Sequence, residues 1–189
     1  MLRYIEEFKK HVAIAGFRDV EIRSIEEFFR AVNRERPLNA DIQFFDAAAV
    51  ATWQHLYFAA LNALTAFENK KNIANSLAME TLLYASAQHQ IKNAMKLLGI
   101  STNSREVAVL IVGEDEESVN SALKTVSGLI AGESDDSVLN LTDSRAKSIK
   151  EIFEITDTEI KTAAKRTGLE EEALVNLVIE RAALLTTQR

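Results

Sequence analysis

The three histidines of the chain, His11, His55 and His89, have the widest chemical repertoire in it, since imidazole moves protons near neutral pH and ligates zinc. Their spacing favours neither use. No two lie three or four residues apart, so no single helix turn offers a ligand pair, and a metal site built from His55, Glu80 and His89 requires the fold to converge them. Thr52, Ala59 and Asn62 share a helical stripe with His55, which could carry a proton relay; the more ordinary expectation is a polar seam where neighbouring helices hydrogen-bond. HExxH, GxSxG, Walker and GxGxxG patterns are all missing, and zero cysteines removes thiolate nucleophiles, thiolate metal sites and disulfides. These residues point to a protein that is not an enzyme and needs no cofactor or metal.

Anion recognition is the better-supported chemistry. On a helix beginning near His89, the side chains of His89, Lys92 and Lys96 project within about 60° of one another, at about 100° per residue, while Ile91, Ala94, Met95 and Leu98 project to the opposite side. Lys70, Lys71 and Asn72 open the preceding helix, where free backbone N–H groups and the positive dipole end also attract anions. If the two elements lie close together they form a compact cationic pocket; the ordinary alternative is a solvated lysine face. Charge is uneven along the chain. Residues 1–100 carry 12 basic and 11 acidic side chains and residues 101–189 carry 10 and 17, for a net charge of −6, so an anion-binding surface belongs to the first half.

The C-terminal part carries a helix-turn-helix look-alike, Thr158 to Leu169 followed by another helix. Its second helix would enter a DNA groove by Glu170-Glu171-Glu172, and three acids against phosphates argue against DNA reading. That helix has two apolar stripes, Leu174, Leu177, Val178 and Leu185 on one, and Val175, Ile179 and Ala182 on the other. One can pack on the chain's own core while the other meets a partner, or both can be buried within the chain.

Elements that position these residues follow from pattern and punctuation. Strands are expected at His11–Gly16, Ile42–Phe45, Arg105–Val112 and Val138–Leu141. Helices are expected from Ser24 to Glu35, from an Asp46 cap to about Glu68, from an Asn72 or Asn75 cap to Ala85, from His89 to Gly99, and after Asp115, Asp143, Thr156 and Thr167. With 189 residues and 21.0 kDa the chain fits one α+β domain, a small mixed or mostly antiparallel sheet covered by helices. Within it a sheet-and-helix core is expected over 1–131, a linker at 132–137 and a mainly helical part over 138–189. The early charges of the N-terminus, the lack of a long apolar run and the lack of cysteine give a soluble, cytoplasmic chain as the expectation, with no membrane attachment.

Phe44-Phe45-Asp46, Trp53-Gln54-His55-Leu56, the run Ala59 to Phe67, Lys71-Asn72-Ile73, Ser76-Leu77, Glu80 to Tyr84 and Gln90-Ile91 together resemble the kinase-binding subunit of the KEOPS complex, in an archaeal form. The resemblance is specific over residues 42–100 and looser through the strand 105–112 and the C-terminal helices. It implies a subunit without activity of its own. Such a subunit binds the small KEOPS protein kinase/ATPase, supports its activity, and captures the 3′ CCA end of tRNA while the complex makes threonylcarbamoyladenosine beside the anticodon. Other KEOPS subunits, the threonylcarbamoyl transferase among them, are then indirect partners. Under this resemblance Lys70, Lys71, Asn72, His89, Gln90, Ile91 and Lys92 become the expected tRNA-end site, and Val175, Ile179 and Ala182 the expected kinase-docking stripe. His89 departs from the basic residue that relatives carry ahead of Gln-Ile.

Overall fold

The computed structural model describes residues 1–167 and 169–187 and is α+β. Five strands form one antiparallel sheet: β1 (Leu2–Ile5), β2 (Lys10–Arg18), β3 (Ala40–Asp46), β4 (Val107–Gly113) and β5 (Glu133–Ser134). Their order is β1-β2-β4-β3, with β5 pairing the far end of β2. The residues of β4 are buried on both faces of the strand, which is why its sequence is a continuous apolar run instead of an alternating one. The helices are α1 (Ile25–Glu35), α2 (Trp53–Glu68), α3 (Leu77–Ser86), α4 (Ile91–Leu98), α5 (Glu116–Leu129), α6 (Asp143–Ile152), α7 (Asp157–Thr167) and α8 (Glu170–Ala183).

The chain divides into two compact units, and the division does not follow the expected sequential one. Met1–Ala47 and Gly99–Val138 form the first, and Ala48–Leu98 with the stretch from Leu139 onward forms the second. Helices α2 to α4 therefore associate with the C-terminal helices, whereas a sequential split at 131 had grouped them with the sheet.

In the first unit Ala13, Ala15 and Phe17 of β2, Val107, Val109 and Ile111 of β4, Val32 of α1 and Val119, Ala122 and Val126 of α5 share one core. Phe28 and Phe29 of α1 meet Phe44 edge-on at 5.0 and 5.8 Å. Ser24 caps α1 through the Glu27 N–H and Asp115 caps α5 through the Ser118 N–H, as their spacing predicts. The expected linker is instead joined to the sheet. Asp135 N–H donates to the Gly16 carbonyl at 2.9 Å, Gly16 N–H donates to Asp136 Oδ1 at 2.8 Å, and Arg18 pairs with Glu133 at 2.9 Å. A side chain at Gly16 would stand 2.5 Å from the Asp135 oxygen, so only glycine permits this approach. The strand expected at Val138–Leu141 is displaced into these acidic residues, and Asp136–Leu139 is a 3₁₀ turn.

The second unit is helical. On α2, His55, Leu56, Ala59, Ala60, Ala63 and Leu64 are buried, and α2 packs against α3 and α8 while α7 packs against α8. Four starts differ from expectation, the smallest shift being that of α4, which begins at Ile91 and leaves His89 ahead of it. Asp46 ends β3 and accepts the Ser104 hydroxyl at 2.6 Å, so α2 begins only after a 3₁₀ turn, at Trp53. Ser76, not Asn72 or Asn75, caps α3 by accepting the Met79 N–H. Thr167 closes α7, and α8 starts at Glu170 behind Leu169; the Thr167 side chain and Gly168 lie outside the described residues. At Thr156 the expected capping box is complete: Glu159 N–H donates to Thr156 Oγ1, and Thr156 N–H donates to Glu159 Oε2 at 2.8 Å. No helix among the described residues is long and apolar enough to cross a membrane.

Candidate functional site

The seven expected anion-site residues flank α3, five of them on the loops either side of it and Ile91 and Lys92 in the first turn of α4. Lys70, Lys71 and Asn72 precede it, and His89, Gln90, Ile91 and Lys92 follow it. The first group lies ahead of Leu77 and the second beyond Ser86, with the ten residues of α3 between them in the chain. Lys70, Lys71, His89, Gln90 and Lys92 are exposed, and Ile91 is 44 % exposed, unusual for an isoleucine at a helix start.

The loop between α2 and α3 is the more ordered half of this set. Helix α2 ends in a Schellman motif: Lys70 takes a left-handed φ of 54°, its N–H donates to the Phe67 carbonyl at 3.1 Å, and the Lys71 N–H donates to Ala66 at 2.8 Å. Asn72 turns its amide inward, Nδ2 donating to the Ala74 carbonyl at 2.9 Å, so it braces the loop and does not offer that donor to a ligand. Beneath it the fully buried Glu80 uses one oxygen, Oε2, to accept the N–H groups of Ile73 at 2.9 Å and Ala74 at 2.6 Å. The loop tip is Ile73, 39 % exposed beside the two lysines. Sequence reasoning gave Ile73 no site role and considered Glu80 only as a metal ligand; the signal available for the loop was an acid inside the apolar run Leu77 to Ala85.

The histidines do not converge. His55 is fully buried, accepts the Ala51 N–H at Nδ1 (3.3 Å) and reaches the Ala85 carbonyl with Nε2 at 2.7 Å, which assigns the proton to Nε2. Desolvation lowers its pKa to about 4, against a smaller raising effect of the Ala85 hydrogen bond, so the ring is a neutral bridge between helices. With His55 and Glu80 both engaged by backbone and His89 exposed, the metal trio is not assembled. Among the described residues no cluster of three or more His, Asp or Glu side chains could hold a metal ion.

Of the first stripe, Leu174 and Val178 on α8 and Leu185 in the 3₁₀ turn after it are buried, and Leu177 is half-buried. The second stripe divides. Ala182 is fully buried and presents nothing to a partner, while Val175 and Ile179 are half-buried and line a groove with Phe58, Leu141, Glu171 and Glu172. Thr52 and Gln54 line the same groove, and their Oγ1 and Oε1 atoms are buried without hydrogen-bond partners. Glu170, Glu171 and Glu172 are exposed in the first turn of α8, where they complement the helix dipole and would repel a DNA backbone.

A family model described as "Kinase binding protein CGI-121" matches residues 17–186. A curated relative, a regulatory protein named Cgi121 from Methanocaldococcus jannaschii, is 36 % identical over 142 residues, covering 75 % of this chain and 83 % of the relative.

Proposed function

The chain belongs to the kinase-binding CGI-121 family, and from that premise we propose that it is the non-catalytic subunit of the KEOPS complex that holds the kinase/ATPase and captures the 3′ end of tRNA. The observation that carries the reading is the family match over residues 17–186, which spans both the α3 loops and α8. Kinase docking falls to the groove of Val175 and Ile179, where the apolar Phe58 and Leu141 and the acidic Glu171 and Glu172 suit a partner with apolar anchors and basic neighbours. Capture of the CCA end falls to Lys70, Lys71 and Ile73 ahead of α3 and to His89, Gln90, Ile91 and Lys92 behind it. Lysines meet phosphates there, and exposed isoleucines offer surfaces on which unpaired bases lie. The Asn72 amide N–H serves the loop, and Ala182 is left out of the docking set because it is buried.

The protein supports the kinase without chemistry of its own, since it carries no phosphate-cradling glycine loop, and the transferase subunit is an indirect partner. Purified chain should turn over no ATP. The decisive experiment is fluorescence anisotropy with intact tRNA and with tRNA lacking CCA, on wild type, on Lys70→Glu/Lys92→Glu and on Lys161→Glu/Lys165→Glu. Intact tRNA should bind more tightly, only the first double variant should lose binding, and the slope of log K against log salt should be near −2, for about three phosphates at roughly −0.7 each. Equal binding of the two tRNAs, or equal losses in the two variants, would overturn the tRNA half of the reading. Failure of the purified kinase to co-elute with the chain would overturn the other half.

A further inference from the structure

On the reading that the loop between α2 and α3 receives the tRNA end, we propose that Glu80 is the positioning residue that holds this loop in its binding shape. The other buried side chains of α3 are uncharged: Leu82, Leu83, Tyr84 and Ala85 are fully or almost fully enclosed, and the Thr81 and Ser86 hydroxyls donate to the Leu77 and Leu83 carbonyls of their own helix. A leucine at position 80 would suit such surroundings without desolvating a carboxyl group, so a stability role alone does not account for an acid there. What the acid does is specific: Oε2 binds two successive backbone N–H groups, those of Ile73 and Ala74, while Oε1 has no hydrogen-bond partner. Both bonds fall on the loop tip and none on α3 itself.

The rest of the loop is fixed around this clamp. Its entry is set by the left-handed Lys70 and its exit by the Ser76 cap, and the Asn72 amide ties the turn across to the Ala74 carbonyl. Lys70, Lys71 and Ile73 are left exposed on a backbone that is already ordered. A loop pre-set in this way binds a flexible single strand without first ordering itself, so loss of the Glu80 carboxyl should appear as lost affinity in a folded protein.

The test compares Glu80→Leu, which removes the acceptor, with Glu80→Gln, which keeps one oxygen in place. Both are checked for fold by circular dichroism and for kinase co-elution, then titrated with tRNA. Glu80→Leu should weaken tRNA binding about tenfold or more with kinase binding intact, and Glu80→Gln should lose less than about threefold. A folded Glu80→Leu that binds tRNA as wild type does overturns the proposal, as does an equal loss in the two variants. Hydrogen exchange on the wild-type protein is the second measurement and needs no variant to fold. The Ile73 and Ala74 amides should be protected beyond what an exposed loop gives, and unprotected amides overturn the clamp. If wild type binds tRNA with and without CCA equally, the tRNA reading itself fails, and the exchange result then judges the clamp alone.

Discussion

His55 on α2 and Ala85 at the end of α3 are joined at 2.7 Å, an imidazole N–H to a main-chain carbonyl in a site without solvent. Because the ring nitrogens are committed to the backbone at Ala51 and Ala85, protonating His55 adds a buried charge with nowhere to place its second proton.

The folded pKa of about 4 lies below the unfolded value near 6.5, so the unfolded chain binds the extra proton between those pH values. Stability should be intact above pH 6.5 and fall as pH drops from 6.5 towards 4, by roughly 3 kcal/mol at most. Urea unfolding of wild type and His55→Gln across this window checks it. The variant should be less stable at pH 7 yet flatter with pH, and an equally steep variant would place the titration elsewhere.

Glu159 works in a lower window. The Thr156 hydrogen bonds, then the Arg181 side chain on α8 at 2.6 Å, hold its pKa down to about 2 from the ordinary 4.5. Its contribution should be complete above pH 4.5 and lost as pH falls towards 2. Glu159→Gln should remove that acid-limb loss, and Thr156→Ala should destabilise by about 1 kcal/mol at neutral pH through the lost cap, both read by thermal unfolding.

Three helices of the second unit end on non-glycine residues in left-handed conformation, Lys70, Ala87 and Glu154, with φ of 54°, 51° and 51°. Glycine relieves the side-chain penalty there, so Ala87→Gly and Glu154→Gly should raise stability by up to about 1 kcal/mol. Lys70→Gly should raise melting temperature similarly while weakening tRNA binding. A rise in both would show that the lysine is not needed at that loop.

For the groove on α8, Ile179→Glu should leave the chain folded and weaken kinase binding by orders of magnitude, whereas Val178→Glu, one residue away and fully buried, should unfold it. Circular dichroism followed by co-elution separates these outcomes. An unfolded Ile179→Glu would assign that side chain to the core.

What the residues disclosed in advance was mostly local. Ser24, Asp115 and Thr156 cap their helices because each carries an oxygen three residues ahead of its target N–H, and β4 announced itself by a run of branched side chains. Distance in sequence hid the rest. Asp46 has the chemistry of a cap but meets Ser104, 58 residues away, and the acidic stretch after Gly132 has the composition of a linker but meets Arg18. The candidate site was legible in its exposed lysines and not in Glu80, whose two acceptor bonds depend on a loop fold that local pattern does not encode.

The strand order carries a consequence for synthesis. β4 lies between β2 and β3, yet it is made some sixty residues after β3, with α2, α3 and α4 emerging in the interval. Until Val107–Gly113 has left the ribosome, β2 and β3 face an unfilled lane with their ladder hydrogen bonds unmade. Nascent chains stalled before that strand should therefore be open to aggregation and protease. Release of β4 is the step that lets the sheet close around its centre, a late and non-local event of the kind that slows folding.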